Sequence, residues 1–231
     1  MPDTLVPPDG AGAPEDVRMV VKPLLRGWSH AVSFVVVIVL GLLLLALTSA
    51  SRGGRLTLVV YLIGLLAMFG VSAMYHRGRW PARQLAVWRR LDHSTIFLAI
   101  AGAYTPVTIA GLDGWRRTTV LVVVWVGAAL GIALQWVPLH VPRAVFTAVY
   151  VVVGWSLSIA LPQLFTGLGG LGFALVLGGG CAYTAGAVVY ALKRPDPWPT
   201  VFGYHEVFHL LTIVGAGLHL AVVAFVVSPK L

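Results

Sequence analysis

His205 and His209 stand four residues apart in the run His205-Glu206-Val207-Phe208-His209, at the start of a long apolar stretch. On a helix that spacing puts both imidazoles on one face, with Cβ atoms about 5–6 Å apart. Both can then reach a single ion at the usual Zn–N distance of about 2.0–2.1 Å. Two other polar interruptions have the same character, Ser72-x3-His76 and Leu91-Asp92-His93, each at one end of an apolar stretch. A third histidine from a second helix, with a carboxylate close by, completes what a zinc site with an open position requires. Ionisable groups at membrane depth are costly unless they pair or bind something, so they mark function by default.

His76, His205 and His209 are accordingly the candidate zinc ligands. Asp92 and Ser72 are the candidate catalytic residues. A carboxylate beside a zinc-bound water orients it and takes its proton, since the metal lowers that water's pKa to about 7. The plainer alternative for Asp92 is an ion pair with Arg89 or Arg90. Ser72 lies one turn before His76 on the same face. Its hydroxyl can meet the metal water or donate to a developing oxyanion, or it can bond back to its own helix. His93 is rotated about 100° from Asp92 on one helix, so the two do not serve one ion together. His30, His140 and His219 have no evident partners and read as single interfacial histidines. His219 also lies about 15 Å beyond His209 along a helix, outside any shared coordination shell.

The elements that must position these groups are membrane spans. The chain has 231 residues, 58% hydrophobic and 10% charged, with a mean hydropathy of +0.90. Soluble domains carry about 25% charged residues, so this is an integral membrane protein of the all-α class. Apolar stretches run over 31–50, 56–76, 91–112, 118–137, 141–161, 168–192 and 205–227. Each has roughly 20 residues, enough at about 1.5 Å per residue to cross a hydrocarbon core of about 30 Å. Seven spans are therefore expected, with Pro138, Pro142 and Pro162 marking uneven boundaries around the fifth.

Orientation follows from Lys and Arg in the loops. One side collects Arg18, Lys22, Arg26, Arg77, Arg79, Arg83, Arg89, Arg90, Arg143, Lys193 and Arg194. The other has Arg52, Arg55, Arg116, Arg117 and Lys230. Eleven of the 16 basic residues thus favour a cytoplasmic N-terminus and an external C-terminus in the plasma (inner) membrane. His76, Asp92 and His205 then share the cytoplasmic boundary, although none of them entered the count. The net charge of +8 is explained by this topology and by anionic lipid headgroups, which removes the reason to invoke nucleic acid. Residues 1–25, rich in Pro, Gly and acidic side chains, read as a flexible cytoplasmic tail, and 26–231 as the membrane domain. No signal peptide is evident, the first apolar run being longer than an h-region of 7–15 residues. The single cysteine, Cys181, precludes an intrachain disulfide or a Cys-based metal site. With Gly178, Gly179 and Gly180 it reads as small-residue packing in the sixth span.

At these residues the chain resembles a known family. SAMYH (72–76), LDHSTIFLAIAGAYTPV (91–107) and HEVFHLLTIVGAGLH (205–219) are similar to the three signatures of the haemolysin III family, related to the progestin and adiponectin receptors. The resemblance runs from about residue 24 to the C-terminus. Near the first span Arg26-Gly27-Trp28-Ser29-His30 keeps the family's histidine but lacks the acidic residue and Asn that precede it in many members. The resemblance implies seven helices, an inside N-terminus and a zinc ion near the cytoplasmic face. His76, His205 and His209 match the family's metal ligands, and Asp92 and Ser72 its water-associated polar residues. In the animal receptors the site is associated with hydrolysis of lipid amides such as ceramide; in bacteria the family name records cytolysis.

The expected function is therefore a zinc-dependent hydrolase of a lipid amide or related acyl bond. Its partner would be membrane lipid, with a single acyl chain in a cavity between the helices. A non-catalytic receptor or cytolytic protein is the alternative. A third reading takes His205-Glu206-x2-His209 as a metalloprotease motif with Glu206 as general base. Nothing acidic follows Glu206 to supply a further ligand, and Leu112-Asp113-Gly114 lies upstream at the opposite side. A haem-binding electron carrier is a weaker reading still, since His205 and His209, one turn apart, cannot be opposite axial ligands.

Overall fold

The structure is a computed structural model that describes residues 23–137 and 142–231. The described residues are helical, with no strand among them. The helices are α1 (Trp28–Leu47), α2 (Arg52–Arg77), α3 (Ala82–Gly111), α4 (Gly114–Trp136), α5 (Arg143–Gly154), α6 (Leu161–Leu192) and α7 (Tyr204–Val222). A 3-10 segment, Ser156–Ala160, follows α5, and a π-helical turn, Val223–Val227, extends α7. His140 and residues 1–22 of the expected tail lie outside the described residues.

Six segments are long and apolar enough to cross a membrane: Trp28–Leu47, Arg52–Arg77, Ala82–Gly111, Gly114–Trp136, Val145–Leu192 and Tyr204–Lys230. The chain is a multi-pass membrane protein. The fifth segment has 48 residues and would run about 72 Å as a straight helix, more than twice the hydrocarbon thickness. It is not straight. Gly169 sits at φ 74°, ψ 172°, a backbone state open to glycine but strained for other residues. Beyond that break the chain returns far enough for the Trp155 indole to donate to Thr184 Oγ1 at 2.9 Å.

The boundary expected at 161 is thus displaced, whereas the one expected at 168 falls on the break at Gly169. Pro162 falls in the first turn of α6, where its missing N–H costs nothing, so it opens a helix instead of closing one. Helix α3 begins at Ala82, well before the apolar run at 91. Hydropathy marks membrane thickness, whereas the helix continues into polar surroundings through Arg83, Arg89 and Arg90.

Local chemistry sets several ends. Ser51 accepts the Gly54 N–H at 3.1 Å to cap α2, a contact worth roughly 1 kcal/mol. Gly64 lets α3 approach α2: a Cβ there would lie 2.8 Å from the Leu98 carbonyl oxygen. The core is packed by Leu58, Phe69, Phe97, Val120, Leu164 and Val222, all buried. The outward faces are also apolar, with Leu42, Leu47, Leu130, Leu171 and Phe225 exposed, as lipid contact demands. Cys181 faces outward too, not into the helix packing expected for it.

Candidate metal centre and cavity

The start of α7 is built to hold His205 in place. The Glu206 carboxylate accepts the Gly203 N–H at 2.9 Å, the half of a capping box available to a glycine cap. Asp196 accepts the Tyr204 N–H at 2.8 Å. Glu206 is itself buried and paired with the Arg26 guanidinium. Arg26 belongs to a segment whose Leu24 and Leu25 N–H groups donate to Thr200 and Val201 carbonyls at 3.0 and 3.1 Å. The next residue, Gly27, has φ 79° and packs on His76, where a Cβ would come within 2.7 Å of the histidine Cβ. The segment before α1 therefore ties the last turn of α2 to the first turn of α7.

These ends bring the three predicted ligands together. One ring nitrogen from each of His76, His205 and His209 lies within 4.8 Å of the others. His76 Nε2 and His205 Nε2 are 3.1 Å apart. Two nitrogens on one tetrahedral zinc are separated by about 3.3 Å, so this pair already has the spacing of shared ligands. The widest separation in the group would close by at most about 1.5 Å to match. The donor set, three imidazoles from two helices, suits zinc with a position left for water.

Asp92 Oδ2 stands 3.9 Å from His76 Nε2, on the histidine side, and forms no ion pair with Arg89 or Arg90 among the described residues. The buried Ser72 hydroxyl interacts with that carboxylate. Tyr150 closes the same corner, donating to the His93 carbonyl and accepting from Gln135, both at 3.1 Å. His93 is not in the metal-ligating group.

Two histidines depart from the interfacial reading. His30 is 3% exposed and stacks on His209, ring centroids 3.8 Å apart and 13° from parallel. It lies on the inner face of α1, because Ser33, Val37 and Gly41 continue that buried stripe. His219 lies inside the bundle against Tyr183 and Gly179. Its separation from the metal-ligating group holds. Arg26, His30 and Tyr150 escaped the sequence reading; a lone arginine ahead of a span and a buried-stripe histidine on α1 were the available signals.

A cavity of about 170 Å³ joins these features. That is well above the 10–15 Å³ or so that one water needs. His205, His209, Asp92 and Ser72 line one end, and His219 with Gly180 lines it further along α7. Ile96, Ile100, Ala103, Phe146 and Val151 make most of its wall apolar. Glu206 does not line it; its carboxylate is engaged by Arg26 and the Gly203 N–H. Leu112-Asp113-Gly114 sits at the α3–α4 junction, where Asp113 pairs with Arg117 at 2.6 Å.

Comparison with known proteins agrees with the signatures. The profile described as "Haemolysin-III related" matches residues 19–220. "Hemolysin-3" of Bacillus cereus is 30% identical over 194 residues, covering 81% of this chain and 84% of that protein. "Hemolysin-3 homolog" of Bacillus subtilis (strain 168) is 35% identical over 128 residues, covering 54% and 56%. "Heptahelical transmembrane protein ADIPOR2" of Oryza sativa subsp. japonica is 29% identical over 178 residues, covering 70% and 77%. With its profile spanning most of the chain, and His76, Asp92, His205 and His209 of the three signatures gathered at one end of a helical bundle, this protein belongs to the haemolysin-III related family.

Proposed function

We propose that this chain is a zinc-dependent membrane hydrolase acting on a lipid amide or related acyl bond. The observation that carries the reading is the cavity, whose polar end is lined by His205, His209, Asp92 and Ser72 beside His76, and most of whose remaining wall is apolar. His76, His205 and His209 would hold zinc, which when bound supplies Lewis-acid activation of water. Asp92, at 3.9 Å from a ligand nitrogen, has room to hold a water by hydrogen bonding and to receive its proton on Oδ2. Ser72 steadies that carboxylate. The apolar wall would take one acyl chain, each methylene contributing about 0.8 kcal/mol.

The accompanying topology has seven spans, with Val145–Leu192 crossing twice by reversal at Gly169. The Trp155–Thr184 hydrogen bond supports this, as does the heptahelical name of the rice relative. The basic-residue bias supports a cytoplasmic N-terminus and a metal site near the cytoplasmic face of the plasma membrane.

A second reading, a cytolytic or receptor protein without catalysis, draws on the names of the Bacillus relatives. Purified protein distinguishes the two. The hydrolase reading expects about one zinc per chain, lost in His205→Ala/His209→Ala, and lipid-amide hydrolysis that rises with acyl length. Bound zinc with no hydrolysis at any acyl length leaves the non-catalytic reading, and undiminished zinc in the double variant overturns the ligand assignment.

A further inference from the structure

The cavity does not end at the histidine cluster. It continues along α7 to His219, about 15 Å beyond His209, where Tyr183 of α6 also lines it. The two rings meet edge to face, centroids 5.4 Å apart. Gly179 makes the space, since a Cβ there would come within 2.4 Å of the His219 ring. His219 Nε2 lies 3.2 Å from the Val176 carbonyl oxygen. A carbonyl only accepts, so Nε2 carries the proton and holds the ring still.

The half-buried Tyr183 lines the cavity, and its hydroxyl makes no hydrogen bond among the described residues. His219 Nδ1 is buried without a partner as well. An unsatisfied buried polar group such as Nδ1 costs about 1–3 kcal/mol, and a phenol lining the cavity beside it offers a ligand a donor and an acceptor. Polar groups kept inside a membrane bundle mark function.

We propose that Tyr183, flanked by His219, is a second hydrogen-bonding subsite, for a hydroxyl carried partway along the acyl chain of the bound lipid. The inference rests on the lipid-cavity reading above and narrows its ligand class. A hydroxyl suits the place because a phenol both donates and accepts and no charge must be desolvated. A second carboxylate on the ligand would enter an apolar wall with no cation facing it.

The test uses the full-length protein in detergent or nanodiscs. A fluorescent fatty acid is displaced by an unsubstituted long-chain fatty acid and by its mid-chain hydroxylated positional isomers. One isomer is expected to bind better than the unsubstituted acid by about fivefold, the equivalent of a net hydrogen bond of about 1 kcal/mol. In Tyr183→Phe that preference should disappear while the unsubstituted acid binds as before. No positional preference in the wild type, or a preference that survives Tyr183→Phe, overturns the subsite. If neither acid binds the wild type, the lipid cavity fails and the subsite with it.

Discussion

His30 of α1 lies face to face on His209 of α7, 3.8 Å between ring centroids. The contact joins helices whose sequences are far apart, and it presses on a residue of the candidate metal-ligating group. A ring held on one face cannot swing out of position, which is how neighbouring groups commonly tune a ligand.

Replacing His30 by Ala should therefore weaken metal binding. The loss should be about tenfold, the low end of what supporting residues of metal sites contribute. His30→Phe keeps a stacking ring and should retain most of the affinity. Competition against a zinc chelator measures both, and equal affinity in all three proteins would show that the stack is packing alone.

Asp92→Asn should leave zinc bound and abolish hydrolysis. Asn keeps the shape but cannot receive a proton, and a positioned general base contributes about 10²–10⁴ in rate. Glu206→Gln should retain activity in the fraction that remains folded, because Glu206 faces Arg26 and the cap of α7. Rates normalised to zinc content make the comparison. An inactive Glu206→Gln beside an active Asp92→Asn would restore the metalloprotease arrangement.

The Arg26–Glu206 pair makes a stability prediction. Removing one partner of a buried pair strands the other charge, at a cost of about 3–5 kcal/mol. Arg26→Ala should lower the thermal midpoint markedly. Arg26→Ala combined with Glu206→Gln should recover part of the loss, since the stranded charge is gone. A double-mutant cycle read by thermal unfolding in detergent checks this, and strict additivity would mean that the pair is not coupled.

Gly179→Ala should disturb the inner cavity selectively. The added methyl would stand 2.4 Å from the His219 ring, and overpacking of this kind costs about 1–3 kcal/mol. Zinc stoichiometry should hold, because the ligands lie about ten residues away along α7. Binding of long acyl chains should fall more than that of short ones. Unchanged chain-length dependence would place the lipid elsewhere.

Much of this was legible in the chain alone. The His205–His209 spacing, one helical turn, put both rings on one face whatever surrounded them. Lys and Arg counting assigned His76, Asp92 and His205 to one side of the membrane, and the structure brings the three side chains together. Helical period and hydropathy are local properties, set by neighbours within a turn or by the width of the bilayer, so the primary structure carries them directly. Where the spans begin and end was less legible at Pro162, because proline at a helix start and proline at a helix end look alike in hydropathy.

The tertiary structure decided which faces meet. His30 and His219 read as solitary because each has apolar neighbours in sequence; their partners, His209 and Tyr183, sit on other helices. The same holds for Glu206, whose adjacency to His205 suggested a catalytic base until its carboxylate was found on Arg26. Helix rotation about its axis and the tilt of one helix on another determine such pairs. They follow from packing over the whole bundle, so no local pattern encodes them.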